Sequence, residues 1–343
     1  MSTQPALRGE KLRDVVFRTI LPKVQTPGQY IGGERNSIAK DHASVRATVC
    51  LAFPDAYALG MSHYGGQILY SILNDDPRWA CERAYCPMPD FEKEIRAAGL
   101  PLYSLETFTP LVEFDVVGFS LQYEVCYTNL LNILDLGGIP LREKERGDGH
   151  PLIIAGGPGA QNPEVLAPFV DVFLIGDGED SLPLLVERWA DLKDRTDLSR
   201  DDKLAALVRE FPSAYAPRFY EPDYGPDGSV VSFNRLRADV PQEILAAAIR
   251  VDFDDLPIPT RPLVPLIEIS MDRIAIEIMR GCPWQCRFCQ STVIKRPLRV
   301  RSVGAIVEAA KEAYRNTGLD EISVMSLSSS DYPHFAELVA ALA

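Results

Sequence analysis

The sequence predicts an α/β protein in which a doubly wound parallel sheet is followed by a second, shorter run of strands and helices. Apolar segments such as DVVGFS, PLIIAG and DVFLIG lack the alternation of a half-exposed strand, as is typical of strands buried on both faces. Segments with helical periodicity separate them, and strands that alternate with helices form parallel sheets. Such sheets bind ligands in the loops at the carboxyl ends of their strands.

The chain of 343 residues is long enough for two ordinary domains, and we divide it into four segments. These are a polar N-terminal lead-in at 1–45, the α/β domain at 46–190, a connector with a helix, a hairpin and a Pro-rich linker at 191–270, and the second run at 271–343. Strands of the first domain are expected at Ala47–Phe53, Glu82–Cys86, Phe114–Phe119, Pro151–Ala155 and Asp171–Ile175. Helices are expected near 65–74, 90–98, 126–136, 162–168 and 179–190.

The second run contains two β/α units. Its strands are predicted at Arg273–Met279 and Glu321–Leu327, and Ser302 and Gly318 are expected to cap the two ends of the helix between them. A last helix is expected near 333–343. Two β/α units cannot close a barrel, so we expect the sequence to be truncated.

Composition predicts a cytoplasmic protein with no membrane partner. No segment approaches the roughly 20 apolar residues of a membrane-spanning helix, and the N-terminus lacks the apolar core of a signal peptide. The net charge of −13 argues against a broad basic surface for nucleic acid. The seven cysteines are an odd number, which favours reduced thiols over a disulfide framework.

Three of the cysteines, Cys282, Cys286 and Cys289, are crowded into the run GCPWQCRFCQ. Thiolates are soft ligands that suit iron–sulfur clusters and zinc. A structural zinc site takes four protein ligands, and His334 is the only later candidate for the fourth. Three cysteines on one loop suit a 4Fe–4S cluster that keeps one iron open for a ligand. A zinc-bearing loop and three unrelated core cysteines remain the alternatives.

The spacing Cys-x3-Cys-x-aromatic-Cys, with Phe288 as the aromatic residue, resembles the signature of the radical S-adenosylmethionine superfamily. The resemblance implies the start of a partial (β/α)6 TIM-like barrel, with S-adenosylmethionine on the open iron and reductive cleavage to a 5′-deoxyadenosyl radical. It places Phe288 near the adenine. It also implies contacts to the methionine end of the cofactor from Ser328, Ser329, Ser330 and Asp331, although this run lacks the Gly-Gly-Glu usual in the family.

Six basic residues flank the cysteines: Arg280, Arg287, Lys295, Arg296, Arg299 and Arg301. In one interpretation they attract an anionic group, either the carboxylate of the cofactor or a phosphate-bearing substrate such as RNA. In the other they are a solvated loop that balances acidic helices. The residues alone leave both interpretations open.

The first domain resembles cobalamin-binding, Rossmann-type domains, which carry Asp-x-His-x-x-Gly after the first strand, a Ser-containing turn after a later strand, and Gly-Gly after the next. This sequence has MSHYGG, GFSL and AGGPG at those places, with Met61 where the aspartate would stand. The resemblance implies cobalamin contacts from His63, Ser120, Gly156 and Gly157. Because the aspartate would orient the imidazole, its absence favours a second interpretation, in which His63 packs or caps the start of a helix.

The whole chain is similar to a family of radical proteins of uncharacterised activity with a cobalamin-binding-like domain, sharing the runs PGQYIGGERNS, GFSLQYE and IGDGE. The leading prediction is a radical enzyme acting on an unknown substrate, with a 4Fe–4S cluster, S-adenosylmethionine and, as a candidate third cofactor, cobalamin for methyl transfer. Its electron donor is expected to be a flavodoxin or ferredoxin. We expect the truncated chain alone to be inactive.

Two alternatives remain at this stage. The cysteine loop also resembles that of methylthiotransferases, which act on RNA or protein. This resemblance implies a second cluster in the first domain, for which Cys50, Cys81, Cys86 and Cys126 are the candidates. A non-catalytic cobalamin or nucleotide binder with an attached cluster is the other alternative.

Overall fold

The main sheet has six strands in the order β2-β1-β3-β4-β5-β6. The structure is a computed structural model and describes residues 7–249 and 252–343. The strands are β1 Ala47–Phe53, β2 Trp79–Tyr85, β3 Val116–Ser120, β4 Leu152–Gly156, β5 Val172–Leu174 and β6 Ala214–Tyr215. The first five pair in parallel, and β6 adds an antiparallel edge.

Helices cover both faces of this sheet. They are α1 Glu10–Val15, α2 Tyr57–Met61, α3 Tyr64–Asp75, α4 Pro89–Ala98, α5 Tyr127–Leu136, α6 Ser181–Leu192 and α7 Arg200–Glu210. Neighbours along a strand, such as Val116 and Val117, enter two separate cores because strand side chains alternate between faces. Residues of α4 and α5 complete one core, and residues of α3, α6 and α7 complete the other. The predicted doubly wound α/β class is confirmed.

Two segments differ from the sequence-based expectation. In the polar lead-in, Leu12, Val16 and Ile20 are fully buried, because their spacing of four residues forms an apolar stripe on α1 and the π-helical turn that follows it. The helix predicted near 162–168 is absent. The chain there forms the short 3-10 turns Pro158–Gln161 and Pro163–Val165, since prolines cannot continue a helical hydrogen-bond ladder.

The connector forms the expected hairpin, β7 Tyr220–Tyr224 and β8 Val230–Arg235, and a second α/β unit follows. Its elements are β9 Ile274–Glu277, β10 Met279–Arg280, α8 Ser291–Ile294, β11 Arg299–Val300, α9 Val303–Thr317, β12 Ile322–Met325 and α10 Phe335–Leu342. Strands β9 and β12 pair in parallel, whereas β10 and β11 pair antiparallel. Ser302 Oγ accepts a hydrogen bond from Ala305 N, and Gly318 ends α9 with a φ of 76°, so both predicted caps are confirmed.

The strand order predicts where a ligand site of the main sheet lies. The order reverses between β1 and β3, and ligands of such sheets bind in the crevice outside the carboxyl ends of the strands at that point. The second α/β unit packs over this edge, where Met271 N donates to Ser62 Oγ at 3.0 Å. None of the helices within 7–249 and 252–343 has the length and apolar character needed to cross a membrane.

Candidate functional site

A cavity of about 670 Å³ lies between the carboxyl edge of the main sheet and the second α/β unit. The loops after β1, β3, β4 and β5 form one wall, and residues at the ends of β9, β10 and β12 form the other. Cofactor and small-molecule sites occupy roughly 300–1,000 Å³ and are mostly apolar with a few polar groups. This cavity has that size and character.

Two positions in the cavity wall are glycine although neither packing nor backbone conformation requires glycine there. A Cβ atom on Gly156 would have no neighbour closer than 3.6 Å, and one on Gly178 none closer than 3.4 Å. Neither residue has a positive φ. Gly157 differs, because its φ of 91° and a carbonyl oxygen 2.7 Å from an added Cβ demand glycine for folding alone. Gly156 and Gly178 therefore give a ligand access to bare backbone.

His63 caps helix α3. Its Nδ1 accepts a hydrogen bond from Gly66 N at 3.0 Å, which leaves the proton of the neutral ring on Nε2. The ring also hydrogen-bonds Gln122, whose Nε2 donates to Ser120 Oγ at 2.8 Å. Burial lowers the pKa of His63 to about 4, and the bond to Gln122 opposes this shift only in part. The capping interpretation is confirmed, whereas cobalt ligation by His63 stays a prediction.

Met61 has a different role from the aspartate it replaces. Its side chain is buried, and its sulfur lies 2.9 Å from Arg83 Nη1. Arg83 is itself held by Glu34 and Glu106 at 2.9 and 2.6 Å. Gln122, which the sequence analysis missed, contacts the imidazole instead.

We expect the neutral cap at His63 to make stability depend on pH. Between the ordinary pKa of about 6.5 and the folded value of about 4, the unfolded chain binds a proton that the folded chain excludes. Stability from this group is complete above pH 6.5 and is lost as the pH falls toward 4, by about 3 kcal/mol. His63→Asn keeps a good N-cap without titrating. Urea unfolding at pH 7 and 4.5 should show a smaller loss in this variant than in the wild type. An equal loss would contradict this role.

The cysteine loop spans residues 281–298 between β10 and β11. Cys282 and Cys289 are half-buried and Cys286 is exposed. Within the loop, Thr292 Oγ1 donates to the carbonyl of Cys289 at 2.8 Å. The part of the chain that the structure describes contains no group of three His, Cys, Asp or Glu side chains already placed to hold a metal ion. The three thiols of the loop therefore do not form a preassembled metal site in this structure.

The donor set of the loop fits an iron–sulfur cluster better than zinc. Three soft thiols lie on one loop, and each is at least partly accessible. Among the described residues no fourth donor is grouped with them as a structural zinc site needs, and His334, at the start of α10, lies 3.7 Å from Glu337. Phe288 is 92% exposed, so its predicted place near an adenine stays a prediction.

The polar run after β12 meets the cysteine loop. Trp284 Nε1 donates to Asp331 Oδ2 at 2.6 Å, and Ser328 Oγ donates to the same oxygen at 2.5 Å. Both bonds lower the pKa of Asp331, and the bond from Ser328 has the larger effect. Ser326, which the sequence analysis missed, lines the cavity and hydrogen-bonds Ser329. The structure thus brings the predicted run to the cysteine loop, with Ser330 between these contacts.

Most of the basic residues around the cysteines bind groups of the chain itself. Arg280 and Arg299 pair with Asp177, and Arg301 is buried and donates to the carbonyl of Leu256 at 3.2 Å. These arginines therefore do not lie on a solvated loop, whereas their attraction of an anionic group stays a prediction. Lys295 lines the cavity and has no ion-pair partner among the described residues, and its attraction of an anion stays a prediction.

Family models match both parts of this arrangement. Residues 65–217 match the family described as radical SAM proteins, N-terminal, and residues 276–343 match the radical SAM superfamily. The chain belongs to the radical SAM superfamily. The second match begins in β9 and includes the whole cysteine loop, so it covers most of the second α/β unit.

One curated protein and two structures of a second protein are similar to this chain. An uncharacterized protein of Methanocaldococcus jannaschii is 26% identical over 248 residues, which are 71% of this chain and 45% of the relative. Two structures of the radical S-adenosylmethionine methyltransferase TsrM from Kitasatospora setae, one with cobalamin and a 4Fe–4S cluster and one with tryptophan and a SAM analog, are 13% and 14% identical. Both alignments cover 86% of this chain, with TM-scores of 0.47 and 0.46, and 52% and 50% of TsrM. The chain spans about half the length of these relatives.

The remaining cysteines of this radical SAM protein are buried in the main sheet domain. Cys50 and Cys81 lie on neighbouring strands but enter different cores. Burial raises the pKa of both thiols well above the usual range, and it raises that of Cys86 to about 11. Cys126 is buried as well. Thiols in such surroundings resist the ionisation that metal binding needs.

Proposed function

We propose that this chain is the cofactor-binding part of a radical SAM enzyme that transfers a methyl group, with a cobalamin-type corrinoid in the cavity beside the iron–sulfur loop. One observation carries the proposal. A single cavity is bounded by the glycine-containing carboxyl edge of the main sheet and, opposite it, by Met279, Arg280 and Gly281 at the base of the cysteine loop. Two cofactors bound at these places would lie next to each other.

The cavity wall suits a large, flat ligand with few charges. Gly156 and Gly178 allow close approach to the backbone, and the neutral groups of His63, Gln122 and Ser120 supply polar contacts. The imidazole is neutral at physiological pH because its pKa is about 4.

The radical SAM domain contributes the thiolates of Cys282, Cys286 and Cys289 as iron ligands. When bound, a 4Fe–4S cluster supplies one electron for reductive cleavage of S-adenosylmethionine, and cobalamin supplies a carrier for the methyl group. The hydrogen bond from Trp284 to Asp331 ties the cysteine loop to the polar run after β12. Lys295 offers a positive charge to a carboxylate or phosphate.

The buried thiols of the sheet domain weigh against methylthiolation. That reaction requires a second cluster, and the candidates Cys50, Cys81, Cys86 and Cys126 lie in two separate cores rather than on one accessible loop. A non-catalytic binder differs from the proposed enzyme only in turnover, so an assay of products separates the two.

The test is an anaerobic assay of the complete natural protein, reconstituted with iron and sulfide and supplied with S-adenosylmethionine and dithionite, with and without hydroxocobalamin. We expect 5′-deoxyadenosine in the reduced samples, and S-adenosylhomocysteine only when hydroxocobalamin is present, because cobalamin takes the methyl group. If 5′-deoxyadenosine forms but hydroxocobalamin produces no S-adenosylhomocysteine, the protein is a radical enzyme that does not transfer methyl groups. Binding of both cofactors with neither product would refute the enzyme.

A further inference from the structure

The neck of the cysteine loop is formed by two arginines. Arg280 in β10 and Arg299 in β11 are cross-strand partners in the antiparallel pair, and residues 281–298 with all three cysteines lie between them. Two guanidinium groups side by side repel each other unless an anion lies between them. The neck therefore needs a negative partner.

One carboxylate of the main sheet domain binds both arms of this neck. Asp177 Oδ1 lies 3.4 Å from Arg280 Nη1, and Asp177 Oδ2 lies 3.3 Å from Arg299 Nη1. The three side chains are only 10%, 10% and 14% exposed, in that order. Glu179 and Glu277 complete the cluster, at 2.6 and 2.8 Å from Arg280 Nη2.

Asp177 is itself held firmly. Its backbone N–H donates to the carbonyl of Ala247 at 3.0 Å, and its Oδ2 accepts from Ile249 N at 3.2 Å. It lies three residues after the end of β5, within the segment 176–179 that lines the cavity. The carboxylate is therefore fixed relative to the sheet, and it fixes the neck of the loop in turn.

Stability alone is a weak explanation for this cluster. Buried ion pairs repay little of their desolvation cost, and apolar side chains of similar size often serve as well. Charge at this position has a different consequence. The reduction potential of an iron–sulfur cluster depends on nearby charge, hydrogen bonds and exposure, and charges that are nearly buried are poorly screened by salt.

We propose that Asp177 is a positioning residue for the iron–sulfur loop: it joins both arms of the neck to the cavity wall and lowers the reduction potential of the cluster. Reduction adds one negative charge, which the two arginines favour and Asp177 disfavours. The inference rests on the proposed function only in assuming that the loop holds a 4Fe–4S cluster. A ligand in the cavity contacts the same segment that holds the neck.

Asp177→Asn tests the inference in the complete protein after anaerobic reconstitution with iron and sulfide. The midpoint potential is measured by a redox titration followed by electron paramagnetic resonance. We expect reduction to become at least about tenfold more favourable, which is a rise of about 59 mV for one electron. Asp177→Glu keeps the negative charge. Its equilibrium for reduction of the cluster should differ from that of the wild type by less than about threefold.

Asp171 offers a matched control. It lies at the opposite end of β5 and also binds two arginines, Arg146 at 2.8 Å and Arg200 at 3.1 Å. Asp171→Asn should destabilise the fold without moving the potential. If that variant does not fold, Asp201→Asn replaces it as the control for the loss of a negative charge. Asp201 is exposed and pairs with Arg218.

The outcomes separate clearly. A wild-type potential in Asp177→Asn at normal iron content overturns the inference, as does an equal shift in the folded control. Loss of the cluster in Asp177→Asn alone, with Asp177→Glu retaining it, supports positioning. Loss in the Asp171 control as well shows general destabilisation and overturns it. A wild-type protein that binds no cluster refutes the proposed function instead.

Discussion

Cys286→Ala should abolish the iron–sulfur cluster. Loss of a mere outer-shell partner lowers metal affinity roughly 10–100-fold, so loss of one of three thiolate ligands should lower it further. The wild type is expected to hold about four irons per chain, and the variant less than about a tenth of that. Iron and sulfide analysis with the absorbance near 400 nm, after anaerobic reconstitution, measures the difference. Because Cys286 is exposed, the unfolding free energy of the iron-free variant should differ from that of the iron-free wild type by less than about 0.5 kcal/mol.

Cys86→Ala is the matched control for this experiment. Cys86 is a buried cysteine of the main sheet domain and one of the candidates for a second cluster. We expect its iron content to equal that of the wild type. A wild type with about eight irons, half of them lost in Cys86→Ala, would favour methylthiolation. One zinc ion in the wild type, or normal iron in Cys286→Ala, would contradict the cluster assignment.

Features encoded by neighbouring residues could be predicted from the sequence. Strand β1 is observed at the predicted bounds, Ala47–Phe53, because a strand buried on both faces leaves an uninterrupted apolar run. The cap at His63 lies within three residues of the N–H it accepts from. The caps Ser302 and Gly318 are local in the same way. Each of these signals is contained in one short window of sequence.

Features that depend on distant residues were missed or misinterpreted. Asp177 is 103 positions from Arg280 and 122 from Arg299, and no local pattern relates them. The sequence therefore showed an excess of positive charge beside the cysteines, although the fold pairs two of these arginines with carboxylates of the main sheet domain. Gln122 was missed for a similar reason, since its contact with His63 joins the loops after two different strands.

Gly156→Val should weaken cobalamin binding about tenfold to a hundredfold. The glycine lies at the end of β4 in the cavity wall, without a positive φ and without a neighbour closer than 3.6 Å to an added Cβ. A valine suits the extended backbone and should leave the unfolding free energy within about 1 kcal/mol of the wild type. Its branched side chain would occupy space that a flat ligand needs, and overpacking of a fitted site typically costs about 1–3 kcal/mol.

An absorbance titration with hydroxocobalamin measures this effect on the wild type and the variant. Gly149→Val provides the control, because Gly149 has open space around it, has no positive φ and does not line the cavity. Weaker binding in Gly156→Val alone, at unchanged stability, would place the ligand against the β4 end of the cavity. Equal affinity in all three proteins would refute a ligand at that wall. Absence of binding by the wild type at micromolar ligand would remove cobalamin from the proposal and leave the cavity to the radical substrate, because the cysteine loop still borders it.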